Sequence, residues 1–295
     1  MRRFQDGRVP TRWIIILAGL GALLSGCDNF RFTADLATEA PSNPAITSVE
    51  VNLLGLDLRR DDGTDRTLEF SNPEVVNLLD LESGDPMRLF TDEELPAGHY
   101  VGVRLLFDSD EDPNQVTTST GDFPIVLADD AFASVDFTVK ESSGTSSGGS
   151  KALSLMLDLR QALSFDGVAE EYTLTTHLRA VPTNDAAEVQ GNVLVDCTET
   201  GSLDTIGAVY LFAGHDVEPD DLDGSGIEPF ATTRVTGSGT GGFQYALRFL
   251  PADDYTLAFT CRGNREDVSI DDDLDFSNVQ NVTLDDAETL QRDID

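Results

Sequence analysis

Leu95-Pro96-Ala97-Gly98-His99-Tyr100-Val101-Gly102-Val103-Arg104-Leu105-Leu106-Phe107 reads as a turn that launches a strand, and this unit sets the fold class. Pro and Gly punctuate the turn, and Val101, Val103, Leu105 and Phe107 then recur every second residue, the period of a strand with one inward face. Leu250-Pro251-Ala252-Asp253-Asp254-Tyr255 repeats the spacing of Leu95 to Tyr100 far downstream. Two related sandwiches would produce that repeat, and so would convergent turn chemistry.

Working outward, Val49, Val51 and Leu53 alternate with polar residues before the phase shifts to Leu54, Leu56 and Leu58, the signature of a bulge. Asp61-Asp62-Gly63 makes a turn, Thr67 to Phe70 a short strand, and Val75 to Leu81 a further apolar stretch. Val135, Phe137 and Val139 alternate, a Ser/Gly-rich run covers Glu141 to Ser150, and Leu153, Leu155, Leu157 and Leu159 resume the period. That order predicts a long hairpin with a flexible tip. Tyr172, Leu174, Thr176 and Leu178 form a last strand, and Pro182-Thr183-Asn184-Asp185 marks a domain boundary. Strands are predicted beyond it at Val189 to Asp196, Ile206 to Phe212, Phe243 to Phe249, Tyr255 to Cys261 and Val279 to Leu284. The expected fold is all-β: two antiparallel β-sandwich domains, Ig-like or transthyretin-like.

Ile46 to Leu58, Leu79-Asp80-Leu81, Leu95 to Tyr100, Leu153 to Leu159, Tyr172 and His177-Leu178-Arg179-Ala180-Val181 together resemble a lipoprotein-borne family of domains of unknown function, the one numbered 4382. The resemblance covers residues 46 to 182 and brings no catalytic residue with it. Gly241-Gly242-Phe243-x-Tyr245, Leu250-Pro251-Ala252-x-x-Tyr255 and Asn281 to Leu284 resemble the carboxypeptidase-regulatory-like, transthyretin-type sandwich, which implies that fold for residues 188 to 295. Asp253 stands where that family has Gly, and an Asp tolerates the left-handed conformation. Residues 183–187 are the expected linker.

Ahead of the first domain, Arg2, Arg3, Arg8 and Arg12 precede an apolar run from Trp13 to Leu24, the layout of a secretory signal. Such a run reaches only about 18 Å as a helix, against a bilayer core of about 30 Å, so it exports the chain without spanning the membrane. Leu24-Ser25-Gly26-Cys27 resembles the lipobox of bacterial lipoproteins, which implies cleavage after residue 26 and a lipid on Cys27. An ordinary signal peptide is the alternative. Asp28 resembles the inner-membrane retention signal of enteric lipoproteins. Residues 28 to 45 are polar and small with Pro41 and Pro44, so residues 27–45 are expected to be a lipidated Cys and a flexible tether about 25 Å across.

Of 19 Lys and Arg and 54 Asp and Glu, four Arg and one acid precede Cys27, which leaves 15 bases against 53 acids and a formal charge of −38. Such a chain repels nucleic acid, and no basic cluster follows the signal to offset that. The acidity serves calcium, a cationic partner, or simply solubility.

Cys197 and Cys261 remain once Cys27 is committed. Both fall on the inward phase of predicted strands, and export places them in an oxidising compartment, so they form a disulfide or else two buried thiols. His99, His177 and His215 share no metal-binding spacing, and no Gly-x-Ser-x-Gly elbow occurs. Hard oxygen ligands crowd Asp216, Glu218, Asp220, Asp221, Asp223, Gly224 and Gly226, and Asp108, Asp110, Asp112 and Asn114 recur every second residue. These suit an irregular calcium site, with Asp216, Asp220, Asp221 and Asp223 as ligands, or a solvated acidic loop. No other cofactor is expected. The sequence therefore points to a lipid-anchored protein of the cell envelope that is not an enzyme and binds an envelope protein or glycan. A hydrolase acting on envelope or extracellular polysaccharide is the alternative.

Overall fold

The computed structural model describes residues 29–82, 84–109, 114–128, 132–139, 149–195, 197, 207–238, 242–271 and 274–295. Cys27 and Asp28, and Asp110 and Asp112 of the second acidic run, lie outside them. The fold is all-β and its strands form two sandwiches.

In the first sandwich, β1 (Asn29–Glu39), β4 (Met87–Pro96), β9 (Ser150–Asp158) and β12 (Leu178–Pro182) form a small sheet in the order β12-β9-β1-β4. The large sheet has the order β10-β11-β7-β6-β2-β5-β8, with β3 (Asp65–Asn77) also paired to β2 (Ile46–Arg60). Its other strands are β5 (Gly98–Phe107), β6 (Gln115–Thr118), β7 (Gly121–Leu127), β8 (Ala133–Val139), β10 (Leu163–Asp166) and β11 (Glu171–Leu174). An aromatic pair bridges the two sheets, Phe30 meeting Tyr100 edge-on at 6.0 Å, and within the large sheet Tyr100 stacks on Phe137 at 5.1 Å. Phe30, Phe32 and Tyr100 are fully buried. Each Phe contributes roughly 2–3 kcal/mol by leaving water.

The bulge expected in β2 falls at Leu53/Gly55, where its register against both β3 and β5 slips. Only glycine fits there, because a Cβ on Gly55 would lie 2.0 Å from the Leu68 carbonyl oxygen. A second slip against β8 between Tyr100 and Gly102 corrects the face predicted for β5: Tyr100, Val103 and Leu105 are buried, while Val101 and Phe107 are only half-buried.

Four further expectations are corrected. Residues 29–39, assigned to the tether, form β1, an interior strand whose alternating Phe30, Phe32, Ala34 and Leu36 are all fully buried. β8 and β9 are not a hairpin, because β8 pairs with β5 in one sheet and β9 with β1 and β12 in the other. The strand predicted over Tyr172 to Leu178 divides into β11 and β12, which belong to different sheets. Finally, the sheets are not purely antiparallel, since β1 with β9, β11 with β7, and β13 (Ala187–Val193) with β20 (Thr289–Gln291) run parallel.

The second sandwich pairs the sheet β16-β17-β13-β20 with β15-β14-β18-β19. These strands are β13 (Ala187–Val193), β14 (Ala208–Ala213), β15 (Ala231–Arg234), β16 (Thr236–Ser238), β17 (Gly242–Leu250), β18 (Asp254–Thr260), β19 (Phe276–Thr283) and β20 (Thr289–Gln291). β13 ends at Val193, three residues before the predicted limit, yet Val195 and Cys197 still pack against the core. β14 is buried on both faces: Val209 and Leu211 point into the sandwich, and Tyr210 and Phe212 lie in an outer cluster with Leu222 and Ala258. Asp253 does not take up a left-handed conformation; Phe249 does, with φ 53°. The Asp253 carboxylate instead accepts the Asp254 N–H at 2.8 Å.

The repeated turn has the same anatomy in both halves. Tyr100 donates its hydroxyl to the Pro96 carbonyl at 2.8 Å, and Tyr255 donates to the Pro251 carbonyl at 2.9 Å. Each buried ring thereby ties its strand to the corner that launches it, as in a tyrosine corner.

Candidate functional site

The small sheet of the first sandwich is covered on both faces. Its inward residues fill the aromatic core, and the opposite face, with Ala37, Ser154, Met156, Arg179 and Val181, is buried as well. β15 and β17 of the second sandwich pack there, against β1, β9 and β12. A strand buried on both faces reads as continuous apolar sequence, which accounts for the run Leu153 to Leu159.

Charged groups are concentrated in this seam. The parallel register of β1 and β9 ends with Glu39 beside Asp158. Asp158, 1% exposed, caps the short helix α1 (Leu159–Ala162) by accepting the Arg160 N–H at 3.1 Å, and also accepts the Gln161 side-chain amide at 2.9 Å. From the second sandwich it accepts the Thr232 N–H at 3.0 Å and the Thr232 hydroxyl at 2.9 Å. β15 is the edge of its sheet, so the Thr232 N–H has no strand partner and the carboxylate satisfies it. Glu39 accepts the Thr233 hydroxyl at 2.9 Å.

Burial pushes the Glu39 carboxyl up to about 8, the Asp158 charge pushes it the same way, and Arg179 opposes both. At neutral pH Glu39 therefore mostly keeps its proton. Arg179 donates to the Arg248 carbonyl at 3.1 Å, Arg160 donates to the Gly263 carbonyl, and Arg234 pairs with Glu82 at 2.6 Å. A pocket of about 230 Å³ opens beside the seam, lined in part by Glu39, Glu82, Arg234, Tyr245 and Arg248. Its charged groups are already partnered, and the arrangement joins two bodies.

The calcium ligands expected from sequence do not all come together. Asp221 and Asp223 come together with Asp271, each offering one carboxylate oxygen within 4.8 Å of the others. Asp216 lies elsewhere and accepts the Asn281 side-chain amide at 2.8 Å, and Asp220 accepts the Asp221 N–H at 3.2 Å. Asp271 was missed because it approaches from another loop, and no local spacing announces it. The donor set is oxygen-only and suits a hard cation, although Asp223 already accepts the Ser225 N–H at 2.7 Å. Nearby, Glu266 accepts the Tyr210 hydroxyl and the Leu222 N–H, and burial raises it to about 7.

Cys197 and Cys261 form a disulfide with Cα atoms 5.4 Å apart, closing a loop of 64 positions within the second sandwich. His99 sits between Asp61 and Asp136 at 3.2 and 2.9 Å, and these bonds raise its pKa above the ordinary value. His215 lies 3.4 Å from Asp254.

Residues 36–176 match the model of a family described as "Domain of unknown function (DUF4382)", so the match begins inside β1. No curated protein matches the chain. Among solved structures, the streptococcal ancillary pilin is similar at 14% identity and TM-score 0.24, over 89% of this chain and 67% of that one. The fimbrial anchor protein Mfa2 of Porphyromonas gingivalis gives 12% identity and TM-score 0.20, over 80% of each chain. The Bacillus anthracis TIE protein gives 9% identity and TM-score 0.21, over 90% of this chain, which spans 34% of that protein's length. Overlaps this shallow carry no weight in the functional reading.

Proposed function

We propose that this protein is lipid-anchored in the bacterial cell envelope and acts as a non-enzymatic binding or assembly module for an envelope protein or a glycan. The anchor reading is supported by the Arg-rich start, the short apolar run and Leu24-Ser25-Gly26-Cys27. No helix among the described residues is long and apolar enough to cross a membrane. The observation that carries the module reading is the seam. Asp158 and Glu39, the most deeply placed acids there, are occupied by Thr232 and Thr233, so they hold two sandwiches together instead of facing a substrate. Sandwiches joined this way present loops and sheet edges in a fixed arrangement, which suits recognition.

Asp221, Asp223 and Asp271 are the residues that would hold a calcium ion, whose charge would draw two loops of the second sandwich together.

Crosslinking in the native envelope followed by mass spectrometry tests the module reading. A discrete partner is expected; turnover of an envelope polysaccharide by the purified protein would contradict it. Changing Cys27 to Ser should release the protein from the membrane or stall its precursor. Fractionation of Asp28→Ser decides which membrane carries it.

A further inference from the structure

β1 begins at Asn29, so a single residue separates it from Cys27. Whatever conformation that residue adopts, covalent geometry holds Cys27 within about 7 Å of the start of the strand. β1 is not a loose arm. It lies between β4 and β9, and its rings sit in the core. It therefore acts as a strut. Its first residues pair with the end of β4 (Asn29 with Pro96) and run beside the start of β9 (Arg31 with Ser150). The turn between β2 and β3 lies at this same end, through Asp61 N–H to the His99 carbonyl at 3.0 Å. Ten residues later, roughly 33 Å away, β1 ends at Glu39, where the second sandwich bears on it.

Charge distinguishes the two ends. Arg31, Arg59, Arg60, Arg66 and Lys151, a third of the 15 bases that follow Cys27, gather near the start of β1. Arg59 pairs with Asp65 at 2.9 Å, Arg60 with Asp62 at 3.4 Å, and His99 with Asp61 and Asp136, while Arg31, Arg66 and Lys151 are exposed. Asp92, Glu93 and Glu94 of β4 lie beside Arg31 and Phe32 as well, so the region keeps a small negative charge. In a chain of charge −38, with a third of its bases here, it is repelled less by an anionic headgroup layer than the base-poor remainder.

We infer that a lipid on Cys27 seats the Arg31/Lys151 end of the first sandwich directly on the bilayer surface, with β1 pointing away from it. The inference rests on the lipidation reading of Cys27 and adds that no flexible leash intervenes.

The test uses the processed protein, purified from membranes and reconstituted in vesicles whose phosphatidylcholine is brominated along the acyl chains. The chain's single Trp, Trp13, precedes the cleavage point, so the processed protein has a silent background. Trp is introduced at Asp62, in the β2–β3 turn, or at Asp80, exposed at the far end, with Lys151→Trp as a second near probe. Loss of emission is expected at the two near positions and not at Asp80. Inserting a flexible Gly/Ser segment between Asp28 and Asn29 should abolish that loss. Equal quenching at both ends, or none at the near end, in protein whose mass confirms lipid on Cys27 overturns the orientation alone. A mass without lipid overturns the anchor reading and this inference with it.

Discussion

Asp158 and Thr232 belong to different sandwiches, and the carboxylate of the first takes both the N–H and the hydroxyl of the second, at 3.0 and 2.9 Å. This pair makes an edge-strand donor part of a domain junction.

Replacing Asp158 with Ala removes an acceptor shared by Arg160, Gln161 and Thr232 and leaves buried donors unpaired. The cost should be about 3–5 kcal/mol, with one cooperative thermal transition resolving into two. Thr232→Val, which keeps the backbone donor, should cost about 1–2 kcal/mol. Calorimetry showing a single unshifted transition for Asp158→Ala would remove the junction from the account.

Stability should fall as pH rises from weakly acidic to weakly basic. Glu39 keeps its proton in the fold up to about 8, whereas the unfolded chain loses it near 4.5. Between these values the fold binds more protons than the unfolded chain, so its advantage is complete below 4.5 and exhausted above 8. Glu266, raised to about 7, adds to the slope over the lower part of that window. Glu39→Gln should flatten the profile and stabilise the protein at pH 8; denaturant midpoints across the range check this, and an unchanged slope would count against a protonated Glu39.

Reducing Cys197–Cys261 releases a loop of 64 positions, worth roughly 4 kcal/mol in the chain-entropy model. Hydrogen exchange should accelerate in β13 and β18 and the strands they pair with, and much less in β1, β2 and β5. Uniform acceleration of both sandwiches would mean that the bond braces the whole chain and not the second sandwich alone.

Calorimetry at physiological salt should give a saturable heat with millimolar calcium that Asp271→Asn abolishes, because salt screens diffuse attraction more than an organised site. A linear, non-saturating response would dismiss the site.

What could be read from sequence followed from local periodicity. The slip in phase after Leu53 located the Gly55 bulge, and the shared spacing marked two similar turns, though not that Tyr100 and Tyr255 bond the carbonyl of the Pro four residues earlier. The inward phase of Cys197 and Cys261 anticipated the disulfide. β1 was legible too, since Phe30, Phe32, Ala34 and Leu36 alternate, but the prolines just beyond them suggested a tether. The junction was not legible. Nothing near Asp158 or Glu39 indicates that Thr232 and Thr233 will meet them, because that contact depends on how two finished sandwiches dock. The same holds for Asp271, brought to Asp221 and Asp223 by a separate loop.

The central claim is that the seam makes the two sandwiches one body. Spin labels at Val168→Cys and Val279→Cys, both exposed and on different sandwiches, measure this by pulsed dipolar spectroscopy in a Cys27→Ser background. One narrow distance distribution is predicted, broadening in Asp158→Ala; a distribution already broad in the parent, and unaltered by that substitution, would contradict the claim.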